Sequence, residues 1–172
     1  NPVWHINKND ITNKKKSIEF AMLLNLVTAS NSQDENILLG FVKKYNNNDN
    51  FNNTNIKKLI PLALNYFKDF VLPKRNYKKP DAKEKNALNF LYNDLLNIPE
   101  KASGEEYQKI VYICGKKYYP DDLKNWFKSL YTILLGTESG PRIGSFFSLY
   151  GKDQVLKLIK KAKEDRLHSI DK

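Results

Sequence analysis

The sequence predicts an all-α protein of about eight helices arranged as a bundle or cage. Apolar residues recur at helical spacing along most of the 172-residue chain, and no stretch alternates apolar and polar residues as a strand does. Helix-start signals precede several of these runs, and Gly or Pro residues separate them. Hydrophobic residues make up 41% of the chain, enough to bury a sizeable core rather than leave it disordered.

The first two predicted helices lie before a polar loop. Residues 17–29 are apolar on nearly every side, which is typical of a buried helix. Ser32 and Glu35 have the spacing of a capping box, so a second helix is predicted to run from there to about Tyr45. The asparagine-rich stretch 46–53 is the best candidate for local disorder.

A third predicted helix leads into a proline-bounded linker. Thr54 is its predicted cap, Pro61 is expected to delay or kink it, and Phe67 and Phe70 are predicted on its apolar face. The predicted organisation is a first helical subdomain at 1–72, a basic linker at 73–80 and a second helical subdomain at 81–172.

The remaining predicted helices each begin at a recognisable signal. Gly136 is the expected left-handed end of one of them, Gly151 stops the next, and the last is expected to reach about Leu167. The start signals are the capping boxes Asp81 to Glu84 and Ser103 to Glu106, the Pro120 to Asp122 stretch, Gly140-Pro141, and Lys152.

The charge balance favours a polyanionic partner. Lys and Arg number 29 against 19 Asp and Glu, for a formal net charge of +10. The alternative is compositional, because an AT-rich genome biases codon choice toward Lys and Asn. The linker surrounds an aromatic ring with cations, and these residues are either RNA-backbone contacts or a solvated linker. They are Lys74, Arg75, Tyr77, Lys78 and Lys79.

Several function classes lack their sequence signals. No glycine-rich phosphate cradle occurs, and no nucleophile and base form a recognisable motif. With one Cys and two His, neither an internal disulfide nor a structural zinc site is expected, and a cytosolic setting fits. No apolar run is long enough to suggest a membrane span. Since the chain begins at Asn1 without an initiator Met, we expect an upstream segment.

The most informative segment joins a helix end, a tight loop and a new helix start. It reads Leu-Leu-Gly-Thr-Glu-Ser-Gly-Pro-Arg-Ile-Gly-Ser-Phe over residues 134–146. Arg142 stands beside the free amides of the new helix, a geometry that suits an RNA phosphate or an unstacked base edge. The plainer interpretation is an αα-turn with a solvated arginine.

This segment resembles a motif near the C-terminus of class I lysyl-tRNA synthetases. Trp4-His5-Ile6, residues 22–27 and residues 69–74 also resemble parts of that family, in the same order along the chain. Asn7 departs from the family pattern, which has a second His there.

The resemblance implies an upstream Rossmann-type catalytic domain, covalently linked, that binds ATP with Mg²⁺ and ligates lysine to tRNA. Its His-Ile-Gly-His and Lys-Met-Ser-Lys-Ser signatures are absent, so the resemblance assigns no catalytic residue or cofactor to this chain. It implies instead that the chain binds the anticodon loop of lysine tRNA through Tyr131, Gly140, Pro141 and Ile143. We add Arg142 because a guanidinium can stack on bases and donate hydrogen bonds.

Two alternatives stay open at the level of sequence. One is the corresponding domain of a glutamyl-type synthetase, against which the Gly140-Pro141-Arg142 string argues. The other is a helical protein-interaction module whose basic character is compositional.

Overall fold

The computed structural model describes residues 20–32, 34–45 and 53–167, and the regular secondary structure in these ranges is entirely helical, with no strand. The all-α prediction is therefore confirmed. The Trp4-His5-Ile6 segment and the polar loop at 46–52 lie outside the described residues. In chain order, helices α1 to α8 span 20–30, Glu35–Tyr45, Asn53–Tyr66, Ala82–Leu96, Gly104–Tyr118, Leu123–Leu134, Ile143–Tyr150 and Lys152–Lys163.

Helix α5 organises the second half of the chain, because it packs against α4, α6 and α7. Helix α8 packs against α4, α6 and α7, and α2 lies against α7. Trp126 on α6 is fully buried, and its indole nitrogen donates to the Val111 carbonyl on α5 over 3.0 Å. Phe41 of α2 and Tyr150 of α7 have ring centroids 5.4 Å apart. Residues of both predicted subdomains therefore share a single hydrophobic core. The subdomain boundaries themselves stay a prediction.

A close helix crossing fixes the start of α7. The Gly144 amide donates to Gln108 Oε1 on α5 over 2.8 Å. A Cβ on Gly144 would collide with the Gly104 carbonyl oxygen and lie 2.6 Å from the Gln108 backbone nitrogen. Glycine is therefore required where the two backbones approach. Since α7 is held in this way, the turn that precedes it is held too.

The capping boxes at Asp81 and Ser103 are confirmed. The Asp81 side chain accepts from the Glu84 amide at 2.7 Å, and Glu84 Oε1 accepts from the Asp81 amide at 3.0 Å. The box predicted at Ser32 is wrong in position. Ser32 Oγ accepts instead from the Asp34 amide, while Asp34 accepts from Asn36 at 2.8 Å, so α2 begins only at Glu35. A serine or aspartate can satisfy either amide, and here the aspartate nearer the helix does so.

Helix α3 runs through Pro61 and continues as a π-helical turn, Phe67–Val71. The Leu72 amide donates to the Phe67 carbonyl at 2.7 Å, which is the i to i+5 bond of a π-helix. The prediction that Phe67 and Phe70 share the buried face is wrong for Phe70. Phe67 is 1% exposed, whereas Phe70 is 56% exposed. Because the π-turn holds more residues than an α-turn, Phe70 is rotated away from the core.

The helix ends in the second half differ slightly from the prediction. Gly136 has a φ of 69° after α6, so its left-handed role is confirmed. Pro141, predicted in the first turn of α7, lies before that helix, because Arg142 has an extended ψ of 122° and α7 begins at Ile143. Helix α8 ends at Lys163, and the chain then turns with Asp165 at a φ of 57° before Leu167 is buried.

Candidate nucleic-acid interface

The basic linker and the 136–142 turn lie side by side, although they are far apart in sequence. The Asn76 amide donates to the Gly136 carbonyl over 2.9 Å, and the Lys78 amide donates to the Thr132 carbonyl over 2.9 Å. Gly136 is packed against the linker, because a Cβ there would lie 2.6 Å from Arg75 Cγ. The structure thus brings together two segments that the sequence indicated separately.

Arg75 and Tyr77 of the linker point inward. The Arg75 guanidinium carbon lies 5.1 Å from the Tyr77 ring centroid and 5.6 Å from that of Phe67. Asn31 Oδ1, at the end of α1, accepts from both terminal nitrogens of Arg75 at 3.4 Å each. Cation–π contacts and hydrogen bonds therefore hold Arg75 in the interior. Its buried guanidinium anchors the linker rather than presenting a charge to a ligand.

The three lysines of the linker differ in their surroundings. Lys74 and Lys79 are exposed. Lys78 Nζ lies 2.8 Å from Glu84 Oε2, and Glu84 is 1% exposed. The Glu84 amide in turn donates to Asp81 and lowers the pKa of that carboxyl group. Lys78 therefore neutralises a buried carboxylate, while Lys74 and Lys79 are directed to solvent.

The residues predicted at the turn divide into a buried group and a more exposed group that lies above it. Tyr131 is 5% exposed and lies beneath Gly140, where a Cβ would be 2.5 Å from Tyr131 Cε1. Burial raises the pKa of Tyr131, and the Asn25 side chain beside it has a smaller, opposite effect. Ile143 is also buried, whereas Gly140 and Arg142 are exposed and Pro141 is half-buried. In this conformation only Gly140, Arg142 and part of Pro141 are accessible to a ligand.

A groove of about 1030 Å³ runs beside the linker and the turn. Its cations are Lys74, Lys78 and Lys128, with Arg75 in its wall. Glu138 is the one carboxylate among the described residues that line it. It lies 3.9 Å from Lys128, and both side chains are well exposed, so the pair is weak. The groove is therefore basic. Its lining residues are Tyr66, Phe70, Val71, Lys74, Arg75, Asn76, Lys78, Asn125, Lys128, Ser129, Thr132, Gly136, Thr137, Glu138 and Ser139.

Two exposed aromatic rings, missed by the sequence reasoning, form one edge of this groove. Tyr66 and Phe70 are 43% and 56% exposed, with ring centroids 4.9 Å apart and planes inclined by 40°. Phe20 contacts Tyr66 edge-on at 5.6 Å. The sequence signal was ambiguous, because Phe70 has helical spacing from both Phe67 and Tyr66. Only the π-turn decides which of these rings faces the core.

Two further kinds of site have no candidate within the described ranges. No group of three or more His, Cys, Asp or Glu side chains lies close enough to hold a metal ion there. None of the helices in those ranges combines the length and apolar character needed to cross a membrane.

The fold and this surface define an all-helical domain that presents cations and exposed aromatic rings on one face. Its sequence is similar to one segment of lysine–tRNA ligases. It is 38% identical over 172 residues to the enzyme of Roseobacter denitrificans, covering 99% of this chain and 32% of the relative. The Rickettsia bellii and Rickettsia rickettsii enzymes are 36% and 35% identical over 161 residues, covering 92% of this chain.

The chain spans about a third of the length of the curated relatives that it matches. No family model matches the sequence, and no solved structure matches it. The resemblance to lysyl-tRNA synthetases that the motifs indicated is confirmed by these relatives.

Proposed function

We propose that the chain is the anticodon-binding domain of a class I lysyl-tRNA synthetase and that it binds the anticodon loop of lysine tRNA. The observation that carries the proposal is the pairing of the linker with Thr132 and Gly136, which places Lys74 and Lys78 in one groove with Lys128. The relatives named lysine–tRNA ligase support it independently.

Phosphate contacts and base contacts have different sources on this surface. Lys74, Lys79 and Lys128 are exposed cations that attract the phosphate backbone of any RNA. Arg142 and the Gly140 backbone are the accessible groups at the turn. A base edge can approach Gly140 closely because no side chain covers it, and the planar Arg142 guanidinium supplies hydrogen-bond donors. Selection of the two uridines shared by lysine anticodons is assigned to this turn, since phosphates are alike in every tRNA.

Tyr131 and Ile143 have a supporting role in this proposal. Both are buried, so neither ring nor side chain reaches a base in the described conformation. Tyr131 instead supports the Gly140 backbone from below, packed so closely that a Cβ on Gly140 would lie 2.5 Å from Tyr131 Cε1. Of the four residues that the resemblance assigned to the anticodon, only Gly140 and part of Pro141 are therefore accessible, with Tyr131 packed beneath Gly140.

Catalysis belongs to the rest of the parent protein in this proposal. A covalently linked upstream domain would join lysine to the tRNA with ATP and Mg²⁺ in the cytoplasm, and residues of this chain take no part in that chemistry. Binding at the anticodon would place the distant acceptor end in the catalytic site. The chain therefore contributes selection of the tRNA before the reaction.

The test is a fluorescence anisotropy titration with the anticodon stem-loop of lysine tRNA. A control loop has its second and third anticodon uridines replaced, and both are measured at low and near-physiological salt. The lysine loop is expected to bind more tightly. Arg142→Ala should reduce this preference about tenfold or more, the worth of a hydrogen bond from a charged donor. Arg142→Lys keeps the charge but loses the planar donors, so it should recover little of the preference.

A backbone variant separates charge from selection. Lys74→Ala should weaken both loops equally and reduce the salt dependence of binding. Lys109→Ala removes the same charge from an exposed position on α5 outside the groove and serves as the matched control. Equal affinity of the wild-type chain for both loops at both salt concentrations would contradict anticodon selection.

A further inference from the structure

The Tyr66–Phe70 pair places two aromatic rings in contact with each other on the surface. Both rings are large, apolar and substantially exposed, while Phe67 between them is fully buried. The π-helical turn produces this arrangement, and π-turns are frequent at functional sites. Phe20 holds the edge of Tyr66, and Tyr66 contacts Phe70 at 4.9 Å, so the outer ring is supported from behind.

The surroundings of the pair point to one kind of occupant. Among the described residues that line the groove, only Tyr66, Phe70 and Val71 present large apolar surface, and the rest are cationic or polar apart from Gly136 and the acidic Glu138. An amphipathic helix of a partner protein needs a continuous apolar groove, which this site does not provide. Exposed aromatic rings beside a cationic track are instead the arrangement that binds single-stranded nucleic acid.

We infer that Phe70, backed by Tyr66, is a stacking platform for one unpaired base of a bound single-stranded RNA, whose backbone runs past Lys74 and Lys128. The inference rests on the proposed function for the identity of the RNA, but it names a different part of the surface. The 136–142 turn selects bases by their edges, whereas the ring of Phe70 accepts any base by its face.

The experiment measures affinity and stacking together. The probes are the lysine anticodon stem-loop and a short oligouridine, each with one loop or internal uridine replaced by 4-thiouridine for photocrosslinking. Phe70→Ala is expected to reduce affinity for both RNAs about 5- to 150-fold, the range for loss of one stacked base. Phe70→Trp should retain binding. Phe70→Leu keeps an apolar side chain without a ring and should behave like Phe70→Ala.

A control variant tests for nonspecific loss of exposed apolar surface. Ile113→Ala removes a side chain that is 45% exposed on α5, outside the groove, and should leave affinity unchanged. Because Phe70 is exposed, all four variants should keep the circular dichroism spectrum and melting temperature of the parent chain. The crosslink should map to Tyr66 or Phe70 by mass spectrometry.

The outcomes separate the two proposals. If the lysine loop is preferred but Phe70→Ala binds as well as wild type, the stacking platform is refuted and the anticodon proposal stands. If no loop preference exists but Phe70→Ala still loses oligouridine, the platform stands and the anticodon proposal fails. If Phe70→Ala abolishes self-association in light scattering and leaves RNA affinity unchanged, the pair is a protein contact and the platform is refuted.

Discussion

Gly140→Ala tests whether the buried Tyr131 supports the exposed backbone of the turn at Gly140. The φ of Gly140 lies outside the left-handed region, so its backbone conformation is open to alanine. The new Cβ would lie 2.5 Å from Tyr131 Cε1, 3.1 Å from Cζ and 3.2 Å from the hydroxyl oxygen. An ordinary contact requires about 3.4 Å or more, so the two groups must separate by about 1 Å. The Tyr131 ring is almost fully buried, so any movement of the ring displaces its packed neighbours.

The magnitude follows from two opposing effects. Overpacking against a rigid ring costs about 1–3 kcal/mol of stability. Replacing glycine by alanine restricts the unfolded chain and returns about 0.4–1 kcal/mol. The net loss is about 1–2 kcal/mol, or a fall in melting temperature of roughly 2–8 °C for a chain of this size. RNA selection should weaken as well, because the exposed backbone of the turn must rise.

The assay is thermal and urea unfolding followed by circular dichroism. Gly40→Ala is the matched control, because a Cβ at Gly40 in the middle of α2 meets nothing within 4 Å. That variant should be about 0.5–1 kcal/mol more stable, since alanine is the better helix former. A Gly140→Ala chain that equals or exceeds the wild type in stability would show that Tyr131 does not support the turn.

Two further predictions concern the elements that hold the site. Gly144→Ala should lower stability more than Gly140→Ala does, by about 3 kcal/mol, because its Cβ would meet backbone atoms of α5 that cannot rotate away. A Gly144→Ala chain that melts above the Gly140→Ala chain would contradict this prediction. Lys78→Ala leaves the buried Glu84 carboxylate without its cation and should cost about 1–3 kcal/mol of stability. Glu84→Gln should cost less, because it leaves unpaired only a lysine that is already half-exposed. Urea unfolding measures both losses, and a larger loss for Glu84→Gln would refute the assignment.

Local signals in the sequence were sufficient for most of the helical architecture. The capping boxes at Asp81 and Ser103 form between residues three apart, so they can be predicted without knowledge of the fold. The same holds for Gly136, whose left-handed conformation ends α6. Ser32 misled because a neighbouring aspartate competes for the same free amides. Two adequate caps lie two residues apart here, and their spacing alone does not decide between them.

The candidate site was predictable only in pieces. The resemblance named both Gly140 and Tyr131 as anticodon-binding residues, but it did not predict that Tyr131 lies buried beneath Gly140. The pairing of Asn76 with Gly136 is a nonlocal backbone contact that no local pattern encodes. The charge of Arg75 suggested solvent, but two aromatic rings and Asn31 offer its guanidinium an interior site. A sequence pattern gives the charge of a side chain but not the direction in which its neighbours turn it.

The burial of Arg75 bears on how tightly the surface can bind. Its guanidinium ties the linker to α1, and the Asn76 and Lys78 amides tie it to α6 and the turn. The neighbouring lysines therefore lie on a linker whose backbone is already fixed before a ligand binds. A flexible linker of the same composition would lose conformational entropy on association, about 1–2 kcal/mol for each backbone residue ordered. Here the conformational entropy of the linker is lost when the chain folds and not when a ligand binds. The buried Arg75 therefore preorganises the exposed lysines beside it.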